Sequence, residues 1–213
     1  MRNCHRWMPA VLVTVALFFV SYAAAQQPGP AEAGVQSPAT ELSRAQEIAL
    51  AEGAGPPALV AEATIYVRGE GGYEVARAGS NGASCLVSQD RPDTLEPLCF
   101  DAEGTRALLP VYLERGKWRA AGMGEDEIAT RIEQGFADGS FGPPARTGIA
   151  YMLSEHNRVF NGSEVISYPP HIMVYAPYLT NADIGADMSD PFMPWVLEEG
   201  SPHAYIIVVA GGR

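Results

Sequence analysis

Positive charge is scarce in this sequence. Its 213 residues carry 14 Lys and Arg side chains against 25 Asp and Glu side chains, which gives a formal net charge of −11 at pH 7. Affinity for nucleic acids and for anionic membrane surfaces comes from Lys and Arg side chains that neutralise phosphate charge. The composition therefore predicts a protein that binds neither nucleic acid nor anionic membranes.

The sequence also lacks the short motifs of the common enzyme classes. It has no Gly-x-Ser-x-Gly nucleophile elbow, no His-Glu-x-x-His zinc helix and no Gly-rich phosphate loop ending in Lys. Gly69-Glu70-Gly71-Gly72 is predicted to form a hairpin turn and is not a dinucleotide-binding fingerprint. We therefore expect no cofactor, and an enzyme would need a less familiar arrangement of side chains.

Cysteine is rare, with three residues in the whole chain. Cys4 belongs to an amino-terminal segment that we expect to be removed. Cys85 and Cys99 remain, and an even pair in an oxidising compartment most simply forms one disulfide. A redox-active or metal-binding pair is the alternative, but redox pairs favour Cys-x-x-Cys spacing and metal sites need two further ligands. The sequence therefore predicts a structural Cys85–Cys99 disulfide.

The amino-terminal segment has the three parts of a secretory signal. Arg2 and Arg6 form a basic start, a mainly apolar run of about 14 residues extends from Trp7 to Val20, and Ala23-Ala24-Ala25 offers a cleavage site of small side chains. We therefore predict that residues 1–25 are a signal peptide. The mature protein would then be periplasmic or secreted.

An uncleaved membrane anchor is the alternative to a cleaved signal. The apolar run is shorter than the roughly 20 residues that a membrane-spanning helix needs, and no basic cluster follows it. Gln26 stands where a lipoprotein would carry an acylated Cys. If the signal is cleaved, we expect no stable membrane anchor. The loss of two Arg then leaves 12 basic against 25 acidic side chains, a net charge near −13.

Length and patterning predict a single α+β domain. The chain has a hydrophobic fraction of 47%, and it is long enough to bury one core. Residues 26–37 are rich in Gln, Pro, Ala and Gly and are predicted to form a flexible leader before a domain that spans residues 38–213. We expect an antiparallel sheet of about six strands packed against two or three helices.

Local signals predict the first elements of that domain. Ser37-Pro38 offers an N-cap and a first-turn proline, and apolar residues share one helical face from Leu42 until Gly53. From Ala63 the period of the pattern changes to two, and Gly-rich turns separate three short runs. The sequence therefore predicts an antiparallel meander of three consecutive strands between residues 63 and 88.

The rest of the domain is predicted to be helical and then extended. A helical region runs from about Asp101 to Asp138, with breaks at Pro110 and at Gly122-Met123-Gly124. Its clearest helix begins with three acidic residues that complement the helix dipole. Strand signals return in residues 149–153, 172–176 and 205–210. The long irregular segment 177–202 lies before the last strand, and a loop of that length is usually functional or covers a sheet edge.

The last third of the chain holds the candidates for a ligand site. His171, Met173 and Tyr175 alternate along one face of a predicted strand, next to the 177–202 segment. Polar side chains beside a long loop are typical of binding sites. We therefore predict that His171, Tyr175, Asn181 and His203 contact a ligand.

Two metal sites are alternatives in the same region. Imidazole and thioether groups bind copper, and such groups occur at His171, Met173, Met188, Met193 and His203. Four oxygen-bearing side chains within ten residues could hold calcium, namely Asn181, Asp183, Asp187 and Asp190. Core packing explains the first set and turn chemistry the second, so no metal is expected.

Four short segments resemble those of an uncharacterised family of exported bacterial proteins. They are Asn81-Gly82-Ala83-Ser84-Cys85-Leu86-Val87, Pro97-Leu98-Cys99-Phe100, Tyr151-Met152-Leu153-Ser154 and Pro170-His171-Ile172-Met173-Val174-Tyr175. The resemblance covers the chain from about Glu47 onward. It implies a bacterial envelope protein and supplies no activity.

The functional expectation is a binding or structural module of the cell envelope. The alternative is an enzyme in which His156, His171 or His203 acts as general base with a carboxylate partner. Geometry separates the two hypotheses. Two of these histidines within hydrogen-bonding reach of Asp or Glu in one pocket would favour catalysis.

Overall fold

The structure is a computed structural model that describes residues 41–89, 93–161, 163–190 and 192–209. The predicted signal peptide and flexible leader, residues 1–37, lie outside the described residues. The described part confirms the α+β class. Its main sheet has eight strands instead of about six, two more strands form a separate ribbon, and six helices are present where two or three were expected.

The strands and helices of the described part have the following bounds. The main sheet contains β1 (Thr64–Gly69), β2 (Gly72–Arg77), β3 (Ser84–Ser88), β4 (Glu96–Phe100), β5 (Ile149–Met152), β8 (His171–Tyr175), β9 (Trp195–Leu197) and β10 (Tyr205–Val209). The ribbon consists of β6 (Arg158–Phe160) and β7 (Val165–Ser167). The helices are α1 (Arg44–Glu52), α2 (Pro57–Val60), α3 (Ala102–Ala107), α4 (Leu109–Ala120), α5 (Glu125–Asp138) and α6 (Asn181–Ile184).

The main sheet is mixed, in the order β2-β1-β3-β4-β5-β8-β10-β9. Every neighbouring pair is antiparallel except β1 and β3, which run parallel. The predicted meander is therefore wrong in its third strand. β2 returns along one edge of β1 as a hairpin, but β3 joins the opposite edge of β1.

The parallel pairing follows from a chain crossing at Gly79. After β2 the backbone passes over the start of β1, where Ser80 N–H donates to the Glu62 carbonyl at 2.8 Å. A Cβ at Gly79 would lie 2.3 Å from that carbonyl oxygen and 2.4 Å from Thr64 N, so only glycine fits the crossing. The Gly-Ser-Asn-Gly segment is thus a crossover and not a tight hairpin.

The first helix is confirmed, but α1 begins at Arg44. The predicted start at Ser37-Pro38 lies outside the described residues. Ser43 is the N-cap of α1: its Oγ accepts a hydrogen bond from Gln46 N–H at 3.3 Å, and Gln46 Oε1 accepts one from Ser43 N–H at 2.9 Å. This reciprocal pair is a capping box, which satisfies two backbone donors at the helix start.

The Cys85–Cys99 disulfide is present at the centre of the sheet. The two residues are directly opposite each other in the antiparallel pair of β3 and β4, and both are fully buried. Their sulfur atoms face α1, because Ala51 and Ala54 belong to the same core cluster. The bridge therefore links two neighbouring strands inside the core, which is a structural position.

The helical region matches its predicted breaks. α3 ends before Leu108, and Pro110 occupies the first turn of α4, where its missing N–H removes no helical hydrogen bond. α5 spans the predicted helix and buries Ile128 and Ile132 against Phe141. The helix dipole argument therefore accounts for its acidic first turn without a metal.

Both faces of the main sheet are covered. The face that includes Leu98 and Phe100 packs against α3 and α4, and the opposite face, which includes Ile65 and Val87, packs against α1 and α2. Among the described residues no helix has the length and apolar character needed to cross a bilayer.

The 177–202 segment is more regular than predicted. It contains α6, whose N-cap is Thr180, and the edge strand β9, which pairs with β10. The remainder runs over the sheet face that α4 also covers. This segment therefore combines a strand that extends the sheet with a cover over part of one face.

Candidate functional site

A cavity of about 790 Å³ lies on the sheet face that α3 and α4 cover. Its floor is apolar and comes from four neighbouring strands, through Leu98, Met152, Met173 and Ile207. All four side chains are at least 94% buried. The volume falls within the range of pockets that hold small molecules.

Three parts of the chain wall the cavity above this floor. α4 contributes one helix face, namely Leu108 from its N-cap position with Val111, Tyr112 and Arg115. The 177–202 segment contributes Asp187, Met188, Asp190, Phe192, Trp195, Leu197 and Glu198. Further lining residues are Ser88, Thr94, Glu96, Val159, Tyr168 and Pro169. The predicted long loop therefore forms one side of the cavity.

His171 lines the cavity at the start of β8, and only 8% of its surface is exposed. Its Nδ1 lies 2.9 Å from the Pro169 carbonyl oxygen. Because a carbonyl can only accept, Nδ1 carries the proton and donates it. Burial lowers the pKa of His171 below its usual value, so the ring is neutral at pH 7. Nε2 therefore keeps a lone pair, and it has no hydrogen-bond partner among the described residues.

His203 also lines the cavity, from the turn that precedes β10. Its ring is stacked on Phe136 with the ring centres 5.0 Å apart. Burial lowers the pKa of His203, and the carboxylate of Glu198 opposes this shift. Both predicted histidines therefore belong to one cavity as neutral rings.

The two histidines lie at opposite ends of the cavity. His171 is paired with Val209 at one end of the β8–β10 ladder, and Tyr175 is paired with Tyr205 at the other. His203 comes two residues before Tyr205. Four strand residues at about 3.3 Å each separate the two levels by roughly 13 Å. The imidazoles therefore cannot act on the same atom.

Tyr175 is on the same sheet face as His171 but does not line the cavity. Its hydroxyl donates a hydrogen bond to Asp101 Oδ1 at 3.1 Å, and it lies so close to α3 that a Cβ at Gly104 would be 2.0 Å away. Burial, with the nearby Asp101 carboxylate, raises the pKa of Tyr175. This side chain joins β8 to the start of α3.

The side chain of Asn181 also has a structural role. Its side-chain amide pairs with the backbone of Val196, donating to the carbonyl at 3.1 Å and accepting from the N–H at 2.7 Å. This pair attaches the start of α6 to β9. Of the four predicted ligand contacts, the structure brings His171 and His203 together around the cavity and ties Tyr175 and Asn181 elsewhere.

The acidic side chains of the calcium hypothesis are engaged locally. Asp183 accepts from Thr180, Asp187 from Ser189 and Asp190 from Phe192 N–H, as expected of capping and turn residues. No group of three His, Cys, Asp or Glu side chains in the described part of the chain could hold a metal ion.

The thioethers of the copper hypothesis divide between two places. Met173 and Met188 line the same cavity as His171 and His203, whereas Met193 is 40% exposed and is not part of the lining. The two histidines of the copper hypothesis lie at opposite ends of the cavity, so these side chains do not converge on one position.

The arrangement that would favour catalysis is not found in the described residues. His156 lies in an exposed turn beside α1, away from the cavity that His171 and His203 share. None of these three rings is hydrogen-bonded to an Asp or Glu side chain in the described part of the chain. The cavity offers apolar surface and a few hydrogen-bonding groups.

Sequence reasoning missed the wall of α4. Leu108, Val111, Tyr112 and Arg115 recur at i, i+3, i+4 and i+7, which is the spacing of one helical face. That periodicity could have identified the face, although not its position over β8 and β10. Trp195 carried no signal, because its strand was predicted to be irregular.

Neither a family model, nor a curated protein, nor a solved structure matches this chain.

Proposed function

We propose that the chain is an exported protein of the bacterial cell envelope that binds a small, largely apolar molecule. The observation that carries this proposal is the cavity of about 790 Å³ with its floor of Leu98, Met152, Met173 and Ile207. A concave, mainly apolar site with a few polar groups is the usual form of a small-molecule site. Apolar surface in such a site favours a ligand that removes it from water.

Three features support a location outside the cytoplasm. The disulfide between Cys85 and Cys99 is of the kind that persists in periplasmic and extracellular proteins. The amino-terminal pattern of Arg2 and Arg6, an apolar run and small residues before Gln26 agrees with export. The resemblance to exported bacterial proteins points in the same direction.

Binding is favoured over catalysis by the positions of the histidines. General acid–base catalysis needs a base within about 3 Å of the proton that it removes, and usually a group that orients the base. His171 is oriented by a backbone carbonyl, and His203 comes just before Tyr205, whose level in the sheet is roughly 13 Å from that of His171. A ligand can contact both rings, whereas one reacting centre cannot.

The test is a titration of the exported protein with N-phenyl-1-naphthylamine, an uncharged apolar probe whose fluorescence rises on burial. We expect saturable binding of one probe per chain. Met173→Trp should reduce the affinity at least about tenfold, because the larger ring fills the floor of the cavity. Val209→Trp, at one end of the same cavity, should do so with less risk to the core.

The matched control is Val75→Trp. Val75 is 50% exposed on β2, at the opposite edge of the sheet from the cavity, so this variant should bind the probe like the wild type. The circular dichroism spectrum of each variant checks that it is folded. Absence of saturable binding to the wild type, or equal affinities in all three variants, would contradict the proposed function.

A further inference from the structure

His171 offers an unpaired hydrogen-bond acceptor to the cavity. His171 is 92% buried, since 8% of its surface is exposed, and its Nδ1 proton is committed to Pro169. Nε2 is left as an acceptor with no partner among the described residues. A ligand that covers Nε2 without offering a donor would leave this atom buried and unpaired, at a cost in free energy. A ligand that binds here would be favoured if it carries an N–H or O–H group.

The charges of the lining disfavour an anionic ligand. The lining contains the carboxylates of Glu96, Asp187, Asp190 and Glu198 and one guanidinium, that of Arg115. Burial keeps the pKa values of His171 and His203 below the usual histidine value, so neither ring adds positive charge at pH 7. A carboxylate or phosphate ligand would meet repulsion and would lose its hydration.

A cationic head group is disfavoured at His171 itself. The imidazole is neutral, and its neighbours on the floor, Met152 and Met173, are apolar. Desolvating an ammonium group against this neutral ring and these apolar side chains costs more free energy than desolvating a hydroxyl, although Glu96 lines the same end of the cavity. An uncharged donor, such as a hydroxyl, satisfies Nε2 at a much lower desolvation cost.

The shape of the cavity suits an extended chain. Its two ends are marked by His171 and His203, and the side chains of Met173 and Ile207 form the apolar floor between them. The levels of these ends are roughly 13 Å apart along the strands. An alkyl chain laid along this floor would bury its methylene groups at each step.

We propose that the ligand is an uncharged, straight-chain amphiphile whose hydroxyl group donates a hydrogen bond to His171 Nε2. Its alkyl chain lies along Met173 and Ile207 toward the His203 end. This inference rests on the proposed function, because it names the ligand class for the same cavity.

The experiment is competition against bound N-phenyl-1-naphthylamine at pH 7. Four competitors share one alkyl chain and differ in the head group: dodecanol, methyl dodecyl ether, dodecanoate and dodecylammonium. The ether keeps the oxygen but replaces the O–H by O–CH3, and because its added methyl group alone would favour the ether, a preference for the alcohol reports the donor. We expect dodecanol to bind about tenfold more tightly than the ether, the value of one buried hydrogen bond, and more tightly than both ions.

Variants of His171 assign that preference to its imidazole. His171→Phe should bind the probe but should lose the preference for dodecanol over the ether. His171→Gln retains an acceptor and a donor, and it should restore part of the preference. The matched control His156→Phe, in an exposed turn away from the cavity, should keep the full preference.

The outcomes separate the two proposals. If the probe does not bind at all, the proposed function fails. If the probe binds but dodecanol and the ether compete equally, or His171→Phe keeps the preference, the assignment of the head group to His171 is wrong while cavity binding stands. Tightest competition by dodecanoate or dodecylammonium would overturn the uncharged ligand class.

Discussion

Glu103 is 5% exposed, and hydrogen bonds from three residues surround its carboxylate. Arg106 and Arg146 donate from their guanidinium groups, and Ala145 N–H donates at 2.6 Å. The hydrogen bond from Arg106 is the main reason that the pKa of Glu103 falls to about 2. This carboxylate therefore holds α3 to the loop that leads into β5, and it does so in its charged form.

Replacing Glu103 should make the protein less stable in a pH-dependent way. The folded pKa of about 2 lies below the usual glutamate value of 4.5, so the contribution to stability is complete above pH 4.5 and is lost as the pH falls toward 2. We expect Glu103→Gln to lower the free energy of unfolding by about 1–3 kcal/mol at pH 7. Urea unfolding at pH 7, 5, 4 and 3 should show this difference shrinking.

Glu47 provides a control of opposite sign. It is 3% exposed on α1, and burial raises its pKa above 4.5 despite the hydrogen bond from Arg68 N–H at 3.0 Å. A raised folded pKa means that ionisation costs stability as the pH rises through it. Glu47→Gln should therefore gain stability relative to the wild type as the pH rises. A pH-independent difference for Glu103→Gln would contradict the role of its charge.

At the scale of elements, the crossing at Gly79 decides how β1, β2 and β3 pair. Most of this region was predictable, because the alternation from Ala63 and the turn at Gly71-Gly72 identify a hairpin. The direction of β3 was not predictable from local patterns. It depends on backbone hydrogen bonds between residues 80–83 and the start of β1, such as Ser80 to Glu62 and Thr64 to Ala83, which are 18 and 19 residues apart in the chain.

A methyl group at Gly79 tests this crossing. Gly79→Ala would place a Cβ 2.3 Å from backbone atoms of Glu62 and Ala63, which cannot move without disturbing β1. We expect a loss of roughly 1–3 kcal/mol in the free energy of unfolding, measured by urea denaturation. Gly71→Ala is the matched control, since nothing lies within 4 Å of a Cβ there. Equal losses in both variants would argue against the crossing as the cause.

The candidate site shows the same limit of sequence reasoning. Strand alternation correctly placed His171, Met173 and Tyr175 on one face. It could not show that Tyr175 is hydrogen-bonded to Asp101, 74 residues earlier in the chain, while His171 lines the cavity. Periodicity identifies the face that a residue occupies, and tertiary contacts identify what the residue touches there.

At the scale of the whole molecule, removal of the disulfide measures how much of the free energy of unfolding depends on this covalent bond. Cys85 and Cys99 are 14 residues apart, and closing a loop of about this length is worth roughly 3 kcal/mol through the entropy of the unfolded chain. We expect the double variant Cys85→Ala/Cys99→Ala to fold with a correspondingly lower midpoint in guanidinium.

The control for this double variant is the wild-type protein whose disulfide has been reduced in the unfolded state. Reduction breaks the bridge while keeping both side chains, so it separates the linkage from the small change in core volume. An unchanged midpoint after both treatments would mean that the hydrophobic core alone accounts for the stability.

The order of strands in the main sheet also has a kinetic consequence. β4 and β5 are neighbours at its centre, yet α3, α4 and α5 all lie between them in sequence. Closing that long loop costs chain entropy, and this cost is offset only after the contacts of β5 and β8 have formed. The local β3–β4 hairpin, even when oxidised, does not shorten this loop. Refolding should therefore be limited by the search that brings the two halves of the sheet together.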